Sequence, residues 1–113
     1  MIYFITQGKE YVKIGVSGTP GARLNELQTG NPNKLSLWFV VRGGTQEERA
    51  LHAIFAWVKA TGEWFTLTDG LREEICDLII KYNGDIRSFY EAWALIFIKP
   101  ESVSSGIYGE AES

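Results

Sequence analysis

Two β-rich runs open the chain, Ile2–Thr6 and Tyr11–Val16, separated by Gln7-Gly8-Lys9-Glu10; this hairpin limits the fold more than any other feature. Side chains alternate across a strand, so the loop length decides which residues share a face. With an odd loop such as Gly8-Lys9-Glu10, Ile2, Phe4, Val12, Ile14 and Val16 form one apolar face. Tyr3, Ile5, Tyr11 and Lys13 then form the other. An even loop would mix isoleucine and lysine on both faces, so burial selects the odd one. Tyr3 and Lys13 become near neighbours across the ladder.

The following elements are punctuated clearly. Thr19 suits a helix N-cap, Pro20 the first helical position and Gly30 the residue after the end, with Asn31-Pro32 beyond. Leu24 and Leu27 face inward on that helix, with Arg23 and Glu26 on an adjacent stripe. Lys34–Arg42 is the central strand, ended by Gly43-Gly44. Thr45-Gln46-Glu47-Glu48 has the form of a capping box, with Glu48 as its reciprocal residue, and opens a helix to about Ala60 that stops at Gly62. Glu63–Leu67 is a short extended segment. A third helix, from about Leu71 to Tyr82, turns Leu71, Ile75, Leu78, Ile79 and Tyr82 inward. Asp85 can cap a fourth helix through Phe89, Trp93 and Phe97, although Ala94–Ile98 reads equally as a strand. The expectation is an α/β (α+β) fold: a small three-stranded sheet, the hairpin plus the central strand, flanked by three or four helices. Residues 1–82 form the core domain, 83–98 a helix or strand packed on it or at an interface, and 99–113 a flexible tail.

Composition narrows the function classes. A chain of 113 residues with 45% hydrophobic content has room for one domain with a real core. One cysteine, Cys76, forms no internal disulfide, and with a single histidine it builds no zinc site. That points to a reducing compartment, the cytoplasm. Cys76 itself reads as core on the apolar third helix. Met1–Ile5 lacks a basic flank and reads as a strand rather than a signal peptide, and no run approaches the roughly 18 apolar residues of a membrane span. The net charge of −3 argues mildly against nucleic acid. Residues 1–66, however, hold seven Lys/Arg against five acids, and residues 67–113 hold four against nine. A polyanion would therefore be held by a local site in the first half rather than by bulk charge.

Tyr3, Lys13, Arg23 and Glu63 are the residue types that phosphodiester cleavage needs. A tyrosine beside a cation can act as a base, arginine's fork suits phosphate oxygens, and a lone glutamate suffices for a magnesium ion that keeps its waters. Such residues are common, and their spacing carries the argument. Ile2-Tyr3 followed by Lys13-Ile14-Gly15 resembles the paired signature of the GIY-YIG endonuclease superfamily. Arg23-Leu24, Leu27–Pro32, Glu48–Phe55 and Gly62-Glu63-Trp64-Phe65 follow in order and resemble its short phage and meiotically up-regulated-gene branch. The resemblance covers residues 1 to 80. It implies a metal-dependent endonuclease acting on DNA, with Tyr3 as general base toward water and Arg23 on the pentavalent phosphate. Glu63 would hold a single Mg²⁺ or Mn²⁺ ion. Lys13 stands where many members have the second tyrosine and would polarise Tyr3 or touch the phosphate. His52 would contact phosphate or relay a proton. The signature's first glycine is replaced by Met1, and Gly106-Ile107-Tyr108 in the tail is a chance match.

Each residue also has a structural reading. Tyr3 can pack beside Ile5, Lys13 and Arg23 can be solvated charges, Glu63 can pair with Arg23, and His52 can be a hydrogen-bonded core histidine. Trp38, Trp57, Trp64 and Trp93 can stack on bases or belong to the core. The rival function is a catalytically silent module that binds nucleic acid or protein. Phe89, Tyr90, Trp93 and Leu95–Ile98 can form an interface in a homodimer or a larger nuclease assembly.

Overall fold

The computed structural model describes the backbone of residues 1–97 and the side chains of residues 1–92. Strands β1 (Ile2–Gln7) and β2 (Tyr11–Val16) form the expected hairpin. Gln7 pairs with Tyr11 across the three-residue loop, so Phe4 faces Ile14 and Tyr3 faces Gly15. Gly8, at φ +58°, supplies the left-handed turn position. Ile2, Phe4, Val12 and Ile14 are buried together as the odd loop requires, whereas Val16, at the strand end, is exposed.

Helix α1 (Pro20–Gln28) covers the Tyr3 face. It begins at Thr19 with proline in its first turn, and the chain leaves it through Gly30 at φ +79°. The Thr19 hydroxyl makes no cap bond; the Ser17 hydroxyl instead accepts the Thr19 N–H at 3.0 Å. Leu24 and Leu27 pack onto Tyr3, Ile5 and Leu35. Strand β3 (Leu35–Val41) pairs antiparallel with β1, and Trp38 is the extra residue of a bulge, because Phe4 faces Phe39 while Ile5 faces Leu37.

The expected three-stranded sheet is overturned. The sheet has five strands in the order β3-β1-β2-β5-β4, with β4 at Lys59–Thr61 and β5 at Trp64–Thr66. Helix α2 (Thr45–Ile54) correspondingly stops short of Ala60 and passes through a 3₁₀ turn at Ala56–Val58. The physical reason is the outer edge of β2, whose backbone groups need partners. Tyr11, Val12 and Lys13 find them in Thr66, Phe65 and Trp64. Phe65 goes into the core with no exposure. Strands of three residues are too short to show an alternating pattern, and Lys-Ala-Thr-Gly reads as the end of a helix.

Helices α2, α3 (Asp69–Lys81) and α4 (Arg87–Phe97) lie on the other face, where Leu51, Phe55, Leu71, Ile75 and Ile86 close the main core. Leu78, Ile79 and Tyr82 pack against it as expected. Residues 94–97 are helical rather than a strand. The Asp85 carboxylate accepts the Arg87 N–H at 3.1 Å and so caps this helix. Phe89 packs edge-on to Tyr82. The side chains of Trp93 and Leu95–Phe97, and all of Ile98, the proposed tail 99–113 and Gly106-Ile107-Tyr108, lie outside the described residues.

Candidate functional site

The hairpin register puts Tyr3 directly across from Gly15. The hydroxyl end of the Tyr3 ring lies against that glycine: a Cβ built on Gly15 would sit 2.5 Å from Tyr3 Cζ and closer still to the hydroxyl. Any side chain at 15 would therefore push the phenol away. This is the structural use of the glycine in Lys13-Ile14-Gly15. Tyr3 is only 1% exposed, fixed by Ile5, Leu35, Leu24 and Leu27. The Arg23 guanidinium, in the first turn of α1, is near enough to the Tyr3 phenol to be influenced by it and is bonded to Glu26 Oε1 at 3.0 Å. The Tyr3 hydroxyl, and then Glu26, raise the Arg23 pKa above its ordinary value.

Lys13 shares the Tyr3 face and is diagonal to it across the ladder. Its ammonium is taken by Glu63 Oε1 at 3.1 Å and lies 5.6 Å from the Trp64 ring centroid. Lys13 is buried, while the Glu63 side chain keeps 43% of its exposure, so the carboxylate opens to solvent. Gly62, at φ +57°, turns the β4–β5 hairpin, and the Glu63 carbonyl accepts the Ile14 N–H at 3.2 Å. The sequence's alternative partner for Glu63, Arg23, is occupied by Glu26 instead.

His52 Nε2 is 2.9 Å from the Ile14 carbonyl oxygen, and its ring stands edge-on to Phe65. A carbonyl only accepts, so Nε2 carries the proton and a neutral ring leaves Nδ1 as acceptor. The hydrogen-bonded structural reading of His52 is thus present in the fold, and the residue is placed at the strand that carries Lys13.

Glu48 does not take the capping role expected of it. The N-cap of α2 is Gly44 rather than Thr45, and the reciprocal residue is Glu47, whose Oε1 accepts the Gly44 N–H at 2.7 Å. Glycine has no side chain, so only the reciprocal half of a capping box forms, one residue earlier than expected, and Glu48 is free of it. Glycine is an acceptable N-cap, and the spacing of Glu48 to His52 by one turn was the available signal. Burial and the Glu63 carboxylate push the Glu48 pKa up, while His52, Arg49 and Lys13 act in the opposite direction.

Glu63 and Glu48 act on each other as like charges, with Lys13 and Arg49 opposing, and a divalent cation would favour the charged form of both. No group of three or more His, Cys, Asp or Glu that could cage a metal occurs among the described residues. The donor set fits a hard cation that keeps most of its waters, as Mg²⁺ does, and does not fit zinc. The fold thus gathers the Tyr3 phenol and the Lys13 ammonium from the β1–β2 hairpin, the Arg23 guanidinium from α1 and the solvent-open Glu63 carboxylate from the β4–β5 turn.

The T5orf172 domain family matches residues 1–83, and the chain belongs to that family, within the broad GIY-YIG-like nuclease superfamily. That membership supports a nuclease-like enzymatic role and an association with DNA. No curated protein and no solved structure gives a significant match. No helix among the described residues is long and apolar enough to cross a membrane.

Proposed function

We propose, from membership of the T5orf172 domain family as premise, that the protein is a metal-dependent endonuclease of the phage and meiotically up-regulated-gene type, working in the cytoplasm. It would hydrolyse DNA phosphodiesters to a 5′-phosphate and a 3′-hydroxyl. The observation that carries this reading is the phenol of Tyr3, buried and packed against Gly15, with the Arg23 guanidinium in its electrostatic reach. A base held this firmly loses little freedom on reaching the transition state.

In this mechanism the Tyr3 oxygen takes the proton of the attacking water. Arg23 stabilises charge on the equatorial phosphate oxygens, with donors that match their geometry. Lys13 supplies a second positive charge, toward the phenol oxygen or the phosphate. Glu63, with Glu48 beside it, would hold the single Mg²⁺ or Mn²⁺ ion, which when bound supplies Lewis-acid stabilisation of the leaving oxygen. His52 fixes the Lys13 strand through the Ile14 carbonyl, and its other nitrogen is available for a proton or a phosphate oxygen. The Lys13–Glu63 pair at 3.1 Å favours one second reading, a silent nucleic-acid-binding module whose carboxylate is already neutralised.

Nicking of supercoiled plasmid with Mg²⁺ or Mn²⁺ separates the two. Cleavage abolished both by EDTA and by Glu63→Ala supports the nuclease. Binding without cleavage on plasmid, branched and single-stranded DNA supports the silent module. Sedimentation mass tests the proposed homodimer, which would set two sites on opposite strands.

A further inference from the structure

A second concave place lies away from Tyr3, at the loop end of the hairpin. There Thr6, Lys9, Trp38, Leu67, Asp69 and Arg72 surround a cavity of about 500 Å³. That is within the roughly 300–1,000 Å³ of small-ligand sites. Arg72, half-buried at the start of α3, lies 5.4 Å from the Trp38 ring centroid. Its side chain makes no ion pair or hydrogen bond among the described residues, and neither does that of Lys9. Arg23 pairs with Glu26 and Arg87 with Asp85, whereas Arg72, like Arg42 and Arg49, has no carboxylate within ion-pair distance among the described residues; what sets Arg72 apart is its place against Trp38 in the cavity wall. A guanidinium propped on an indole, with its donors unused beside a lysine and a hydroxyl, is arranged to receive phosphate.

The rim also tells against a bare anion. Asp69 repels one, yet its oxygens can accept the exocyclic amine of a base. A nucleotide satisfies both ends. Gly8 is five positions after Tyr3, about 17 Å at the rise of an extended strand. The cavity is on the α3 face of the sheet, because Thr6 is in register with Val12 of the main core, whereas Tyr3 is on the α1 face. A duplex, stiff over about 150 base pairs, does not fold round the end of a sheet, but an unpaired strand does.

We infer that this cavity holds a nucleotide of an unpaired DNA strand, its phosphate on Arg72 and Lys9, while the strand continues toward Tyr3. The inference rests on the nuclease reading for its ligand and gives that reading a substrate class, DNA with a single-stranded portion.

The test is fluorescence anisotropy of a labelled single-stranded oligonucleotide in EDTA, where cleavage does not intervene, over a series of salt concentrations. Wild type is compared with Arg72→Gln and with Lys9→Gln, whose exposed position leaves folding unaffected. Arg72→Gln is expected to weaken binding about tenfold, the size of one charge-assisted hydrogen bond. Each variant is expected to lower the slope of log K against log salt by about 0.7. A duplex of the same sequence is expected to be insensitive to both. Wild type that fails to bind, variants that bind as wild type, a duplex that loses as much, or displacement by inorganic phosphate as effective as by mononucleotide would each overturn the inference. Cleavage is read separately, on plasmid, branched and single-stranded DNA: cleavage with binding indifferent to Arg72 sinks only this cavity, and Arg72-dependent binding without cleavage of any of them sinks only the nuclease.

Discussion

Gly15→Ala isolates the placement of Tyr3 from its chemistry. The added methyl would lie 2.5 Å from Tyr3 Cζ, against about 3.5–4 Å for ordinary carbon contact, so the ring must retreat by roughly 1 Å. It has little room to do so, because Tyr3 is 1% exposed and packed on Ile5, Leu35, Leu24 and Leu27. Overpacking of this kind costs about 1–3 kcal/mol, offset by roughly 0.5–1 kcal/mol because alanine suits a strand better than glycine. The expected net loss, between about 0 and 2.5 kcal/mol by urea titration, leaves the protein folded. A displacement of 1 Å, however, costs about a hundredfold in rate. Single-turnover cleavage by Gly15→Ala is thus expected to fall far more than its folded fraction. The hydroxyl makes the closest contact, so in a Tyr3→Phe background the same substitution should cost less stability than in wild type. Gly15→Ala with wild-type stability and rate would refute the close packing of Tyr3 on Gly15.

Other expectations follow from the ionised groups and the core. Replacing Lys13 by methionine leaves Glu63 unpaired but still solvated, so we expect a stability loss of only about 1 kcal/mol by urea titration, together with loss of cleavage. Asp85 has its pKa lowered to about 2, first by its hydrogen bonds to Arg87. Its stabilisation is present above the unfolded value of about 3.9 and is lost as pH falls toward 2; Asp85→Asn should remove that component from urea titrations run between these values. Glu48 has the opposite sign. Its pKa is raised, so the native state keeps the proton longer than the unfolded chain, and stability declines as pH rises from the unfolded value through the folded one. Glu48→Gln should flatten that decline. Phe65→Ala, at a wholly buried strand position, should cost about 3–5 kcal/mol in the same titration.

The parts legible in the sequence were those whose signals are local. The hairpin register follows from parity and burial, and it alone predicted that Tyr3 and Lys13 share a face. Pro20 and Gly30 marked the ends of α1 because proline and glycine act on their own backbone. The parts that were not legible depend on contacts distant in the chain. Lys59–Thr61 is a strand only because β2 offers a free edge through β5. Glu63 bonds Lys13 rather than Arg23 because β5 lies beside β2, while Arg23 finds Glu26 one turn away on its own helix. Glu48 was hidden by a capping pattern that fits two registers, Gly44 with Glu47 or Thr45 with Glu48, and only the packed helix chooses. Arg72 and Trp38 are 34 positions apart and meet because β3 bulges at Trp38 beside the start of α3.

The most direct test of the nuclease account is single-turnover cleavage of DNA by Tyr3→Phe in Mn²⁺, beside wild type of equal folded fraction. Loss of the base that activates water predicts a fall of about a hundredfold or more with DNA binding preserved. Cleavage by Tyr3→Phe at the wild-type rate would contradict the account and move the chemistry away from the hairpin.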